Sequence, residues 1–501
     1  MLLTAALVTF SSLLFSASSV TSRSQQVLAT GDFAHPGTFD QYDAGLFSPV
    51  ENLQLLSAEQ FTTLWHPTFP KHSVRVKKSR FCDGAVDAYT GYIDIEARHL
   101  FFYFFESRGD PEKDDVIFWT SGGPGGSSSL GLFMELGPCR VVSDNATIYN
   151  PYAWNSNANV FFVDQPVGVG FSYAEHGESV DTSQDAGKDI AAFVAIFFEH
   201  FSKFKGRPFH MAGESYGGTY VPAFAAAVYD QNTRLKELGM TPVNLSSIML
   251  GNGCTDMQTM MPAYHDMQCT NNTVPPVTDI ATCVHLKQLV PRCEKWLRES
   301  CFDTFDHIAC GAAMAFCEEN LVANTMYTSG LNPYDLRTPC DGKFNDRLCY
   351  PIFKQIGTYL NTTEMRTTIG ADSAVESFEW ASWEVNTAFA ASMDIAFPSQ
   401  HYITALLERG VRVLVYVGDT DFMCNWIGND KMTLSLEWTG KNAFTAAPLR
   451  EWKVGGVKAG VARSFGGLTF ATISEAGHMV PYDQPERSLE LTRRWLAGEE
   501  I

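Results

Sequence analysis

Short uninterrupted apolar runs alternate along much of this chain with stretches whose apolar residues recur at helical spacing. Residues 116–119 (Val-Ile-Phe-Trp), 160–163 (Val-Phe-Phe-Val), 209–212 (Phe-His-Met-Ala), 247–251 (Ser-Ile-Met-Leu-Gly) and 413–418 (Val-Leu-Val-Tyr-Val-Gly) each read as a strand. A strand with one face in water would alternate polar with apolar, so these belong inside a parallel sheet covered on both sides. Residues 188–201 and the alanine-rich 220–228 read as the intervening helices. Residues 92–95 (Tyr-Ile-Asp-Ile) and 99–106 (His-Leu-Phe-Phe-Tyr-Phe-Phe-Glu) read as a hairpin ahead of the sheet. The alternation breaks from about 255 to 400, then resumes with 405–407, the strand at 413–418 and the apolar stretch 468–473. The pattern predicts an α/β fold interrupted by an insertion. Residues 23–80 read as irregular and end in a basic run at 71–80 (Lys-His-Ser-Val-Arg-Val-Lys-Lys-Ser-Arg). That run is either a solvated loop or the processing site of a propeptide covering 23–80, which leaves 81–501 as the main domain.

Composition narrows the setting. At 501 residues, 45% hydrophobic and 18% charged, the chain can bury one large core with an insertion, or two cores. A formal charge of -20 argues against nucleic acid as a partner and suits an acidic or extracellular medium. Residues 2–15 are apolar and are followed by Ser16-Ala17-Ser18-Ser19, which reads as a secretory signal peptide within 1–22, without the customary basic residue in front. That run is too short to span a bilayer, and no later apolar stretch reaches about 20 residues, so no membrane anchor is expected. In a secreted chain the sequons at Asn145, Asn244, Asn271 and Asn361 become glycosylation sites. Of the 12 cysteines, Cys269, Cys283, Cys293, Cys301, Cys310, Cys317, Cys340 and Cys349 crowd into the insertion without the Cys-x-x-Cys pairs of a zinc site. They predict disulfides in an oxidising compartment and no bound metal or other cofactor.

One pentapeptide carries chemistry. Gly213-Glu214-Ser215-Tyr216-Gly217 is the only Gly-x-Ser-x-Gly in the chain, and it lies between a strand and a helix. A serine on such a turn has its hydroxyl pushed out at the top of a sheet, although a glycine-serine turn taken alone is usually only a turn. Asp421 ends the strand at 413–418, and His478 follows the apolar stretch 468–473. The order Ser215, Asp421, His478, each just past a strand, is that of the acyl-transfer triad in the α/β-hydrolase fold. The glycine-rich loop Ser121-Gly122-Gly123-Pro124-Gly125-Gly126 can turn backbone N–H groups inward, so those of Gly123 and Tyr216 are the natural oxyanion donors.

Several further motifs accompany these. They are Trp119-x-x-Gly122-Gly123-Pro124-Gly125, Asp164-Gln165-Pro166-Val167-Gly168-x-Gly170-Phe171-Ser172-Tyr173, Gly251-Asn252-Gly253, Gly418-Asp419-x-Asp421-x-x-Cys424-Asn425-Trp426 and Gly477-His478-Met479-Val480-Pro481. Together they resemble the serine carboxypeptidases of fungal vacuolar, plant and cathepsin A type, from about Tyr92 to the end. The resemblance implies an α/β-hydrolase fold with a disulfide-stapled, largely helical insertion. It also implies an acidic serine-type carboxypeptidase of the vacuole, lysosome or extracellular space, acting on peptides and proteins with a free C-terminal carboxylate. Ser215 would be the nucleophile, His478 the base and then the acid, and Asp421, rather than Asp419, the residue orienting the imidazole. Glu135 and Glu214 would hold the terminal carboxylate beside Ser121 and Gly122, with Tyr334, Tyr350, Cys424 and Met479 lining the site. The implied disulfides are Cys269–Cys283, Cys293–Cys317, Cys301–Cys310 and Cys340–Cys349. Cys424 is expected as a free thiol, and Cys82, Cys139 and Cys254 have no assigned partner. Ser121 stands where many relatives carry Asn, and Gly126 and Ala381 stand where they carry a bonded cysteine pair. An acyltransferase of the same fold, or a protective binding partner, is the alternative function.

Overall fold

The computed structural model describes residues 48–82, 84–340 and 348–501. The expected signal peptide and the first part of the expected propeptide lie outside these residues. In chain order the strands are β1 (Thr62–Trp65), β2 (His72–Ser79), β3 (Ala88–Ile95), β4 (Arg98–Phe105), β5 (Val116–Thr120), β6 (Cys139–Ser143), β7 (Ala146–Tyr149), β8 (Asn159–Val163) and β9 (Tyr173–Ala174). They continue with β10 (Pro208–Glu214), β11 (Asn244–Gly251), β12 (Leu331–Asn332), β13 (Asp335–Pro339), β14 (Arg412–Gly418), β15 (Arg450–Val454), β16 (Val457–Phe465) and β17 (Leu468–Ile473). Among the described residues one sheet has the order β1-β2-β3-β4-β8-β5-β10-β11-β14-β17-β16-β15, with β9 added to β4. From β8 to β17 the neighbours are parallel, and antiparallel strands extend both edges.

The unbroken apolar runs have a direct cause. Successive side chains on a strand enter opposite faces, and here both faces are covered. Val116 and Phe118 join one core with Phe104, Phe161, Phe193, Phe197 and Phe224, which includes α1 (Ser183–His200) and α2 (Gly217–Glu237). Ile117 and Trp119 enter the other with Phe101, Tyr103, Phe133, Phe162 and Tyr416. Each fully buried aromatic of this kind contributes about 2–3 kcal/mol.

The reading of 23–80 as irregular is corrected for its last third. β2 pairs with β3 at eight consecutive positions and buries Val74 and Val76 in the first core. The basic residues between them hid this alternation. Arg75 pairs with Asp94 at 2.7 Å and lies over the Tyr92 ring, while Lys78 reaches Asp87 at 3.0 Å. These cations belong to a folded strand.

The insertion is helical (Met257–Cys269, Ile280–Leu297, His307–Cys317, Ala323–Thr328), carries the hairpin β12–β13 and continues in the helices Ile352–Leu360, Thr363–Ile369 and Trp383–Ser392. It has a small core of its own around Met260, Met261, Leu286 and Leu297. All four expected disulfides are present. Cys82 bonds Cys139, and Cys254 bonds Cys424, so the expectation of a free thiol at Cys424 is overturned. The sequence kept these partners apart, at separations of 57 and 170 residues, and the folded chain brings them together. Gly126 and Ala381 still meet in an isolated antiparallel bridge where the resemblance had placed a missing disulfide. The architecture is the α/β-hydrolase fold with a disulfide-rich helical region.

Candidate active site

Ser215 sits between β10 and α2 in the left-handed region at φ 61°. Such a conformation is strained for a side-chain-bearing residue and persists only where its surroundings enforce it. The Ser215 N–H donates to the Gly251 carbonyl at 3.1 Å, and the Ser215 carbonyl accepts from Gly218 and Cys254 N–H, both at 2.9 Å. The elbow is thus held from α2 and from the turn after β11. Gly122 passes so close that a Cβ there would lie 2.4 Å from the Tyr216 nitrogen and 2.7 Å from the Ser215 Cβ. Only glycine lets the loop after β5 reach the elbow. Among the described residues, neither the Gly123 nor the Tyr216 N–H is taken up by a protein acceptor. The Tyr216 hydroxyl is anchored on Asp394 at 2.9 Å.

β14 and β17 supply the other two groups. The Asp421 Oδ2 lies 2.7 Å from His478 Nδ1, and both side chains are buried. Asp421 also accepts from Asn252 Nδ2 at 2.9 Å, Met423 N–H at 2.9 Å and Cys424 N–H at 3.2 Å. Asp419 instead accepts the Glu475 N–H at 2.9 Å, and burial pushes its carboxyl up to about 6. Of the two acids, Asp421 is the one in contact with the His478 imidazole. Gly418 lies so close to the histidine loop that a Cβ there would fall 1.9 Å from the Gly477 carbonyl oxygen. Tyr334, from the hairpin, packs its ring edge-on to the imidazole at 4.9 Å and accepts the His478 N–H at 2.7 Å through its carbonyl. Tyr350 lies 6.3 Å beyond Tyr334, and Met479 is buried beside His478.

Glu214 precedes the serine, and Glu135 ends a five-residue wide helical turn, Gly131–Glu135. Both are buried and their carboxyls are in hydrogen-bond contact. Burial raises both, Glu135 to about 7 and Glu214 further, because Glu214 also faces the charge of Glu135. At Glu135 the hydrogen bond with Glu214, and then His478 and Arg140, act against burial, and the two carboxyls titrate as one coupled pair. The pair therefore holds at least one proton through acidic pH. Sequence reasoning missed Arg140, which donates to the Glu135 and Pro481 carbonyls at 3.0 and 2.7 Å, and the role of Asn252. Asn252 lay inside a quoted motif, but nothing local pointed it at Asp421.

A second Ser-His-Asp chain exists and is inert. His210 Nδ1 lies 2.6 Å from Ser247 Oγ and its Nε2 lies 3.0 Å from Asp115, but His210 and Ser247 are fully buried inside the sheet. Trp495 donates to the same Ser247 hydroxyl at 2.9 Å. No substrate can reach it.

A parallel sheet with a strained serine elbow, and a His-Asp pair at neighbouring strand ends, defines an α/β-hydrolase. The comparisons then narrow the class. A serine carboxypeptidase family model matches residues 82–498. The chain is 40% identical over 434 residues to carboxypeptidase Y of Candida albicans, covering 86% of this chain and 77% of that protein. It is 41% identical over 424 residues to a carboxypeptidase Y homolog A of Talaromyces stipitatus, covering 83% and 74%. The crystal structure of Kex1(Δ)p, a prohormone-processing carboxypeptidase from Saccharomyces cerevisiae, superposes with a TM-score of 0.70 at 22% identity, over 88% of this chain and 96% of that one. The chain belongs to the serine carboxypeptidase family and is a serine-type carboxypeptidase homologous to carboxypeptidase Y.

Proposed function

We propose that this enzyme removes C-terminal residues from peptides and proteins in an acidic compartment, through an acyl-enzyme on Ser215. His478 takes the hydroxyl proton as Ser215 Oγ attacks the last peptide carbonyl, and Asp421 keeps the imidazole in the required tautomer. The N–H groups of Gly123 and Tyr216 stabilise the oxyanion. The C–N bond breaks as His478 returns the proton to the departing amine. Water, deprotonated by His478, then cleaves the ester and releases the shortened peptide.

The proton-sharing pair Glu135–Glu214 beside the elbow carries this reading. A buried carboxylic acid can donate to the substrate's terminal carboxylate, and an ionised pair would repel it. In this reading Ser121 and Gly122 join the pair in holding the terminal carboxylate, and Tyr334, Tyr350, Met479 and Cys424 line the site. Peptide substrates follow from the family; the demand for a free terminal carboxylate is what this pair adds. Matched peptides with free-acid and amidated ends test it at mildly acidic pH. The free acid should be strongly preferred through KM, and equal KM values would remove the pair from substrate recognition.

Maturation and location complete the proposal. Six disulfides suit the secretory pathway, with a vacuole, lysosome or the extracellular space as destination. No helix among the described residues is long and apolar enough to cross a membrane. A propeptide cut at 71–80 would have to pull β2 out of the sheet, so we place the end of any propeptide ahead of β1.

A further inference from the structure

β11 and β14 are neighbours in the parallel part of the sheet, and the turns at their carboxyl ends carry Cys254 and Cys424. Cys254 is fastened to the elbow at two points. Its N–H donates to the Ser215 carbonyl at 2.9 Å, and its own carbonyl accepts from Thr219 Oγ1 at 2.8 Å. Cys424 is fastened to the acid loop: its N–H donates to Asp421 Oδ2 at 3.2 Å, and its carbonyl accepts from Asn429 Nδ2 at 3.0 Å. The disulfide thus joins one residue bonded to the candidate nucleophile with another bonded to the carboxylate that orients His478. Its Cα atoms are 5.2 Å apart.

Between the two cysteines the chain makes its longest excursion, through the whole insertion, at a sequence separation of 170. Besides the bond, the strand ends are paired up to Gly251 and Tyr416, the Asn252 N–H donates to the Tyr416 carbonyl at 2.8 Å, and side-chain hydrogen bonds link the two turns. Asn252 donates to Asp421, Gly418 donates to the Asn252 side chain at 3.2 Å, and the Tyr264 hydroxyl donates to the Met423 carbonyl. Reacting groups need to be held within about 0.5 Å of the productive arrangement.

We propose that the Cys254–Cys424 disulfide is a positioning element of this active site, which sets the spacing between the Ser215 elbow and the Asp421 loop and so the placement of the His478 imidazole. This rests on the triad proposed above. A bond serving stability alone would leave turnover of the folded enzyme unchanged, whereas a positioning bond acts on kcat.

The test uses the full-length secreted enzyme and the double variant Cys254→Ala/Cys424→Ala, which leaves no free thiol. Cys301→Ala/Cys310→Ala, which opens a bond inside the insertion, is the control. Turnover of a free-acid peptide and of an uncharged ester, and the rate of modification by a fluorophosphonate, are measured well below each melting temperature. In the Cys254/Cys424 variant kcat and the modification rate should fall together by about ten- to a hundredfold, the usual consequence of a misplacement near 1 Å. KM should stay within a few-fold, and the control should lose melting temperature but not kcat. Should the variant not fold, the native enzyme is treated with a dithiol, which reduces individual bonds to thiol pairs while itself being oxidised. Alkylation and peptide mapping then match activity to the bond opened. A kcat within twofold of native in folded protein lacking this bond would overturn the proposal, as would activity loss that tracks a different bond. Failure of the triad itself is separate, because it shows as activity retained by Ser215→Ala.

Discussion

Replacing Glu135 by Gln tests how the enzyme recognises its substrate's end. Glu135 is raised to about 7, held high by burial and partly offset by contact with Glu214 and by His478 and Arg140. Glu214 is raised as well, by burial and by the charge of Glu135, so the pair titrates as a unit. Below the first ionisation both carboxyls are neutral and able to donate. Above it a negative charge faces the substrate carboxylate. If only the neutral pair binds, KM for a free-acid peptide scales as one plus the ratio of ionised to neutral pair. With the midpoint at about 7, KM should stay nearly constant from about pH 5 to 6, double by 7 and rise about tenfold by 8. That rise corresponds to about 1.4 kcal/mol of lost binding. Glu135→Gln leaves Glu214 as the one titrating carboxyl of the pair, no longer raised by the charge of Glu135, so its KM curve should depart from that of the unmodified enzyme over the same interval. Initial rates on one peptide in free-acid and amidated forms provide the assay, and the amide should show no such rise with either enzyme. A flat KM for the free acid with unmodified enzyme, or an unchanged tenfold rise in Glu135→Gln, would refute the reasoning.

Asn252→Ala removes one of the four hydrogen bonds to the Asp421 carboxylate seen here while leaving the His478 contact in place. A hydrogen bond to a charged group contributes about 1.5–3 kcal/mol, so kcat should fall by about ten- to a hundredfold with little change in KM, and unchanged steady-state kinetics would contradict that role. Asp164, Asp419 and Asp483 are each raised to about 6 by burial. The stability these groups contribute is present in full below the unfolded carboxyl value and is lost as pH rises through about 6, at ~3 kcal/mol for each such group. Melting temperature should therefore fall from about pH 4.5 to 7, and fall less steeply in Asp164→Asn; equal pH dependence in the two proteins would dismiss the contribution of Asp164.

What the sequence revealed depended on how local its signals were. The parallel core was legible because each central strand carries its own apolar run, needing no knowledge of its neighbours. The Ser215 elbow was legible because the strand, the glycines and the helix all lie within a few residues. β2 was not, because Arg75, Lys77 and Lys78 gave the segment a polar composition while Val74 and Val76 quietly alternated beneath it. The charges of Arg75 and Lys78 are matched by Asp94 and Asp87 on or next to the neighbouring strand, and Lys77 lies over the Phe61 ring, a compensation visible only once the strands are paired. Long-range partners were the hardest to foresee. The family resemblance implied a free Cys424, whereas its partner stands 170 residues away, and Asn252 finds Asp421 across a gap of 169. Both contacts follow from β11 lying next to β14, which is a property of the topology and not of either segment.

The central claim, that Ser215 attacks the terminal peptide bond, is tested most directly by Ser215→Ala. Release of the C-terminal residue from a free-acid peptide is compared with that of unmodified enzyme under mildly acidic conditions. The account predicts a fall in kcat of about four to six powers of ten, with folding intact by melting temperature. A variant retaining a tenth of the activity would contradict it.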